Sequence, residues 1–133
     1  MFGTFDISTS GMMAQRVRLT AIASNIANLE TTENETGQPA PYQRLMTLMA
    51  AGADGSGTPG VRVTGVVKDQ SPPRLVYDPM HPDAGTDGYV KYPNVDLATE
   101  NVDAIEATRA FQANVTAFES TKAIMASSLR ILA

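Results

Sequence analysis

Proline and glycine are confined almost entirely to the middle of this 133-residue chain. All 8 prolines lie between positions 37 and 93, and only two of the 10 glycines, Gly3 and Gly11, lie outside that stretch. Proline interrupts helices and glycine weakens them, so only the two flanks can form long helices. The distribution predicts an N-terminal helix within residues 1–29, a loop-rich and strand-rich segment at 30–96, and a C-terminal helix within 97–133. We expect the two helices to form one discontinuous domain.

The N-terminal flank repeats large apolar residues every seven positions, as coiled-coil helices do. Asp6 or Ser8 is the expected N-cap of this helix. Alanines and further apolar residues lie outside the repeat, which is atypical of a solvated surface helix. The repeat itself consists of Phe5, Met12, Leu19 and Ile26, with Gln15, Ile22 and Leu29 at the second position, where Gln15 makes it imperfect.

The C-terminal flank carries a longer repeat of the same kind. Glu100, Asp103 and Glu106 lie in its first turns, and Lys122 and Arg130 lie towards its end, which is the charge order that the helix dipole favours. A continuous helix here would be roughly 50 Å long at 1.5 Å per residue. Its first heptad position holds Leu97, Ala104, Phe111, Phe118, Met125 and Leu132, and its second includes Thr108, Val115 and Leu129.

These two helices are expected to pair antiparallel. The predicted seam places Leu19, Ile22 and Ile26 against Phe111, Val115 and Phe118, with Met125 further along the C-terminal helix. Such a pair buries one face of each helix, and a short middle segment cannot cover the remaining apolar faces. Long exposed apolar faces mark protein interfaces, so the sequence predicts a subunit of an assembly.

The middle segment predicts short strands between turns. Alternating valines at 61–67 indicate a strand with an irregularity at Gly65, and residues 74–77 and 89–92 indicate two more. We expect these strands to form one small antiparallel sheet. Met46 and Met49 suggest a short amphipathic element. The predicted fold class is therefore mainly α with a small β-rich insert.

Composition excludes several kinds of chemistry. The chain has no cysteine, so disulfides, thiolate metal sites and a cysteine nucleophile are ruled out. Its 10 Lys and Arg are scattered and its net charge is −4, which argues against nucleic-acid binding. Acidic residues are spread singly, so no metal or cofactor site is expected. There is no apolar run long enough to span a membrane and no signal-peptide pattern at the start.

The single histidine, His81, lies between Met80 and Pro82. A catalytic hypothesis makes it a general base that acts with Asp78 or Asp83 in a small hydrolase. The favoured interpretation is a loop histidine held by neighbouring prolines, because catalysis needs further positioned partners. We therefore expect no enzymatic activity and no small-molecule substrate.

Two segments resemble the bacterial flagellar rod and hook protein family. Residues 24–28 (Ser-Asn-Ile-Ala-Asn), at the end of the first helix, resemble the N-terminal motif of that family. Residues 88–96 (Gly-Tyr-Val-Lys-Tyr-Pro-Asn-Val-Asp) and 106–114 (Glu-Ala-Thr-Arg-Ala-Phe-Gln-Ala-Asn) are similar to the C-terminal part of its proximal-rod members. Asn101, where these proteins more often have methionine, and residues 31–35 depart from the pattern.

This resemblance implies a structural subunit that polymerises helically into the flagellar proximal rod, a torque-transmitting shaft with a central export channel. It implies export through the flagellar type III system without a cleaved signal. The implied location is the periplasm-spanning rod of the basal body. The implied partners are further copies, other rod proteins and the adaptor between the export gate and the basal body. The alternative function is a free-standing coiled-coil adaptor or export chaperone, which would stop at a defined complex.

Four polar residues of the helices are candidates for contacts between subunits. A polar side chain within an apolar interface fixes the register of the helices that meet there. The alternative is that they are ordinary polar positions at helix ends and surfaces. The candidates are Asn25, Asn28, Gln112 and Asn114.

Overall fold

The structure is a computed structural model that describes residues 2–33, 37–52 and 59–132. Two long helices flank a short β-rich insert, so the predicted fold class, mainly α with a small β insert, is confirmed. The elements in chain order are α1 (Phe2–Ala27), β1 (Leu45–Ala51), β2 (Val61–Lys68), β3 (Arg74–Tyr77), β4 (Tyr89–Tyr92) and α2 (Leu97–Leu132).

Helix α1 begins at Phe2, so the N-cap predicted at Asp6 or Ser8 is wrong. The early turns pack on α2, where the Phe5 ring contacts the Phe118 ring edge to face at 4.8 Å between centroids. Tertiary packing of this kind extends a helix beyond the point that a capping residue suggests.

Helix α2 is capped by Asp96. Its carboxylate accepts hydrogen bonds from the backbone N–H groups of Ala98 and Thr99, both at 3.3 Å, and from the Thr99 hydroxyl at 2.6 Å. These bonds, that from the Thr99 hydroxyl above all, hold the pKa of the Asp96 carboxyl below its usual range. Glu100 in the first turn and Arg130 in the last complement the helix dipole.

The two helices pair antiparallel in a register that three contacts define. Asn25, near the end of α1, donates a hydrogen bond to Glu100 in the first turn of α2. Gly11 lies against Asn114, so closely that a Cβ at this glycine would be 2.8 Å from the Asn114 Oδ1. Phe5 contacts Phe118 beyond it. The predicted register, which brought Ile26 close to Phe111 or Val115, is therefore wrong by about two heptads.

This register leaves the end of α2 beyond the reach of α1. Helix α1 has 26 residues and α2 has 36, and α1 ends beside the start of α2. The final ten or so residues of α2 therefore extend past the first turn of α1, by about 15 Å at 1.5 Å per residue. We call residues 123–131 the α2 extension.

The interior of the helix pair is built largely from alanine. Small side chains let the two backbones approach closely, which accounts for the tight contact at Gly11 as well. Of the predicted seam residues, Ile22 is buried, and Leu19, Ile26, Phe111, Val115, Phe118 and Met125 are half-buried. The fully buried alanines of the pair are Ala14, Ala21 and Ala107.

Truncating Phe118 to alanine is expected to lower the free energy of unfolding by about 2 kcal/mol. This is below the usual 3–5 kcal/mol for a buried Phe, because the ring is only half-buried in the isolated subunit. Urea denaturation measures the change. Phe5→Ala and the double variant should reveal a coupling of about 0.5–1.5 kcal/mol from the ring contact. If the loss in the double variant simply equals the sum of the losses in the two single variants, the two rings do not interact.

The insert contains two separate two-stranded antiparallel sheets. Strands β1 and β2 pair with an irregularity where Leu48 faces Gly65 and Met49 faces Val63, which leaves Thr64 as the extra residue. The irregularity predicted at Gly65 is confirmed, while the short amphipathic element predicted at Met46 and Met49 is strand β1.

Strands β3 and β4 have the predicted bounds and pair from Arg74 with Tyr92 to Tyr77 with Tyr89. The prediction of a single sheet is therefore wrong. Pro72 and Pro73 separate β2 from β3, and proline cannot donate to a ladder, so the two hairpins do not merge. Among the described residues, β1 and β2 pack against α1, whereas β3 and β4 pack as a hairpin of their own.

A polar junction and the candidate assembly surface

Asn25 is the most constrained polar side chain of α1, with 1% of its surface exposed. Its Oδ1 accepts a hydrogen bond from the Leu45 backbone N–H at 2.8 Å, and its Nδ2 donates to the Leu45 carbonyl at 3.0 Å. The Asn25 side-chain amide therefore pairs with both backbone groups of Leu45, as a neighbouring strand would. This contact fixes the start of β1 on the end of α1.

The same side chain reaches two further segments. The Tyr42 hydroxyl donates to the Asn25 Oδ1 at 3.1 Å, and the Asn25 Nδ2 donates to Oε2 of Glu100 at 3.2 Å. The hydroxyls of Tyr42 and Ser24 also lie within hydrogen-bond distance, at 3.0 Å. Asn25 thus joins α1, the approach to β1 and the first turn of α2 with its hydrogen-bonding capacity fully used.

Glu100 brings a charge into this site, and the residue is completely buried. Its Oε1 accepts from Nε of Arg44 at 2.6 Å. The Arg44 Nη2 lies 3.4 Å from Oδ2 of Asp103. The Arg18 Nη2 of α1 lies 3.0 Å from Oδ1 of Asp103 and 3.3 Å from Oε2 of Glu106.

These contacts form a continuous network that we call the polar junction. It links the helix pair to the insert at the end of the molecule where α1 ends and α2 begins. Its inner members, Asn25 and Glu100, are buried with their partners in place, as a stabilising buried polar group requires, and Glu106 lies at its exposed edge. Its members are Arg18, Asn25, Tyr42, Arg44, Glu100, Asp103 and Glu106.

The other predicted polar residues have different surroundings. Asn28 donates from Nδ2 to the Ser24 carbonyl at 2.9 Å and accepts from the Thr31 hydroxyl at 3.2 Å, so it closes the end of α1. Asn114 donates to the Ala110 carbonyl at 2.8 Å and packs on Gly11. Gln112 is exposed on α2.

The structure corrects the expected role of Asn25. We expected this side chain to fix the register between subunits, yet it is buried and bonded inside one subunit. Its contacts fix the register of α1 against α2 and β1 instead. Sequence reasoning also missed Tyr42 and Arg44, which lie in a segment without periodic pattern. The sequence did contain a signal for the contact between the helices. Asn25 is a lone asparagine in an apolar helix, and Glu100 is an acidic residue near the start of the other helix.

Large apolar side chains of the helices are exposed on the surface. Val102 and Ile105 lie near the start of α2, with more than half of their surface accessible. Others lie along the α2 extension, where Ile131 is 84% exposed. Exposed apolar residues on this scale are typical of a surface that another protein covers. We call Met13, Val102, Ile105, Ile124, Leu129 and Ile131 the candidate assembly surface.

Between Ile105 and Ile124 a group of small exposed side chains lies on α2, among larger polar ones. Small side chains let a second helix approach closely, because the distance between packed helices depends on the residues at the contact. This stretch therefore suits helix packing between subunits. Its small exposed residues are Ala113, Thr116, Ala117, Ser120 and Ala123.

The hairpin of β3 and β4 presents a second exposed apolar face. Tyr77 and Tyr89 stack edge to face at 5.2 Å between ring centroids, beside the exposed Leu75. On the opposite face Val90 is completely buried.

His81 lies in the loop between β3 and β4. Its Nδ1 accepts the Asp83 backbone N–H at 3.1 Å, while the Asp83 carboxylate accepts the Thr32 hydroxyl at 2.6 Å. These bonds shape the loop, in agreement with the interpretation of His81 as a loop histidine.

Within residues 2–33, 37–52 and 59–132, no cluster of three His, Asp or Glu side chains could hold a metal ion. Neither described helix has the length and apolarity needed to cross a membrane.

Comparison with known proteins places both helices in flagellar families. Residues 5–34 match the family described as flagella basal body rod protein. Residues 86–131 match the family described as flagellar basal body rod FlgEFG protein C-terminal. The first match spans most of α1, and the second spans β4 and nearly all of α2.

Relatives match almost the whole chain. The flagellar basal-body rod protein FlgC of Bacillus subtilis is 39% identical, over 98% of this chain and 97% of the relative. FlgC of Salmonella typhimurium is 38% identical over the same shares. FlgC of Borreliella burgdorferi is 37% identical over 99% of this chain and 97% of the relative. Similarity of this extent covers the helix pair, the polar junction and the insert together, and the chain therefore belongs to the FlgC family of flagellar basal-body rod proteins.

Proposed function

We propose that this protein is a structural subunit of the proximal rod of the bacterial flagellum, where it polymerises helically with further copies and other rod proteins. The observation that carries the proposal is the candidate assembly surface. A helix pair that leaves Val102, Ile105, Ile124 and Leu129 exposed is stabilised when neighbouring subunits cover them.

The arrangement of the chain suits a tubular assembly. The helix pair is apolar and rich in small residues, so its copies can pack closely side by side around a central channel. The insert, with its turns and charged loops, would face outward. In this arrangement the polar junction connects the part of the subunit that packs in the shaft wall to the part on the outside. Rotation of the shaft then loads both parts of the subunit together.

Export through the flagellar type III system is the proposed route to the rod. A chain without cysteine cannot form disulfides that would hinder passage through a narrow channel. In this proposal the subunit contacts the basal-body adaptor of the export gate as well as other rod proteins. The role is structural and not enzymatic, in keeping with relatives that are named as rod proteins.

Purification of basal bodies tests this function against the adaptor or chaperone alternative. A strain that lacks the gene and carries an affinity-tagged copy would supply both basal bodies and soluble extract. A rod subunit remains in detergent-purified basal bodies, and its deletion leaves basal bodies without a rod. Recovery of the tagged protein only in the soluble extract, in a complex of fixed size, would identify an adaptor or chaperone.

The α2 extension is expected to exchange its amide hydrogens quickly in the free subunit and slowly in the rod. By the register of the helix pair it extends past the start of α1, and a short helical segment is marginal without tertiary packing. Hydrogen exchange with mass spectrometry should show protection gained at residues 123–131 on assembly. Residues 18–25, which are packed in both states, serve as the internal control. Equal exchange of the extension in both states would show that no neighbour covers it.

A further inference from the structure

The first turns of α2 carry a concentration of negative charge. Glu100, Asp103 and Glu106 are three residues apart, so they lie along one side of the helix. That side faces the end of α1, because Asn25 and Arg18 contact it. In the closed helix pair the Glu100 carboxylate is out of water, whereas Asp103 stays partly exposed and Glu106 mostly exposed.

Helix α1 does not neutralise the innermost of these charges. Among its described side chains, Arg18 is the cation that reaches this side of α2, and it pairs with Asp103 and Glu106. From α1, Glu100 receives a single bond from the neutral Asn25 amide. A buried carboxylate with only a neutral donor is unfavourable, since burial of a charge requires a partner of opposite sign.

The missing positive charge comes from the insert. Arg44 lies one residue before β1, which Asn25 anchors through the backbone of Leu45. Its guanidinium bonds to Glu100 at 2.6 Å and also reaches Asp103. Docking of β1 therefore places the Arg44 guanidinium on Glu100.

We propose that Arg44 is a latch that makes pairing of α1 and α2 at the polar junction conditional on docking of the insert. Before docking, Glu100 lacks a cationic partner and opposes closure of this end of the helix pair. After docking, the guanidinium neutralises Glu100 and the end closes. The apolar helices of a subunit then pair in the correct register only when its insert is folded. The latch depends on contacts within one subunit and goes beyond the role in the rod.

Three full-length variants test the latch by hydrogen exchange on the free subunit. Arg44→Gln should make residues 18–25 and 100–106 exchange at least about tenfold faster than in the natural protein. Arg44→Gln combined with Glu100→Gln should restore slow exchange at these residues, because the buried charge is gone and a glutamine oxygen still accepts from Asn25. Arg62→Gln is the matched control, since Arg62 lies in the same insert and, among the described residues, its side chain bonds to the carbonyls of Ala51 and Gly52 and to no residue of the helices. It should leave both helix segments unchanged.

The restored protection shows that Arg44 acts by neutralising the buried Glu100 charge and not by packing or by a hydrogen bond alone. If Arg44 merely contributed packing or a hydrogen bond, the second substitution would add to the damage. The proposal is overturned if Arg44→Gln exchanges like the natural protein, if the double variant exchanges as fast as the single one, or if residues 18–25 are unprotected in the natural protein.

Discussion

Replacing Asn25 by leucine is expected to lower the free energy of unfolding by roughly 3–5 kcal/mol, because each buried polar group left without a partner costs about 1–3 kcal/mol. The substitution strands the backbone N–H and C=O of Leu45 and removes the α1 donor to Glu100. Leucine has a similar size, so the loss reflects hydrogen bonding and not a cavity. Urea denaturation followed by circular dichroism measures it.

Asn28→Leu provides the matched control. Asn28 has the same side chain three residues later, but the bonds that it makes within the described part of the chain are local, to Ser24 and Thr31. We expect a change of about 1 kcal/mol or less, the usual value for one partly exposed hydrogen bond. Equal effects of the two substitutions would show that Asn25 is not the residue that joins the helix pair to the insert.

Changing Ile124 to aspartate is expected to abolish rod assembly and motility while leaving the subunit folded. Ile124 is 61% exposed on the α2 extension, so the free energy of unfolding should change by no more than about 0.5 kcal/mol. In the rod the same side chain would place an unpaired charge against a neighbour, which costs several kcal/mol. Swimming assays and basal-body purification report assembly, and denaturation of the free subunit reports folding.

Two controls accompany this variant. Ile124→Leu keeps an apolar side chain at the same place and should support swimming. Gln70→Asp introduces the same charge at an exposed position in the insert and should also support swimming. Normal swimming of the Ile124→Asp strain would show that the α2 extension does not lie in a subunit interface.

The helices and the β3–β4 hairpin could be predicted because their signals are local. Proline and glycine mark where helices cannot form, and alternation of apolar residues marks residues 74–77 and 89–92 as strands. Strand β1 carries no such signal, since Leu45, Met46 and Met49 are not β-branched. It is a strand because β2 pairs with it and α1 covers it, and both are contacts with distant parts of the chain.

The register of the helix pair could not be predicted from the apolar repeat. A seam that recurs every seven residues is almost unchanged when one helix slides by whole heptads. The register depends on Asn25 meeting Glu100, across 75 positions of sequence. Each of these residues alone is typical of a helix end, and only the folded structure shows that they are partners.

The most direct test of the proposed rod subunit measures whether the exposed side of α2 is covered in the basal body. The chain has no cysteine, so a single introduced thiol reports one position. Thr116→Cys, on the small-residue stretch of α2, should react readily with a maleimide in the free subunit. In purified basal bodies it should react at least about tenfold more slowly, because a packed interface excludes water and reagent. Labelling of denatured basal bodies measures the total amount of reactive thiol and serves as the reference. Equal labelling rates in free subunit and basal body would contradict the assignment of this helix side to contacts between subunits.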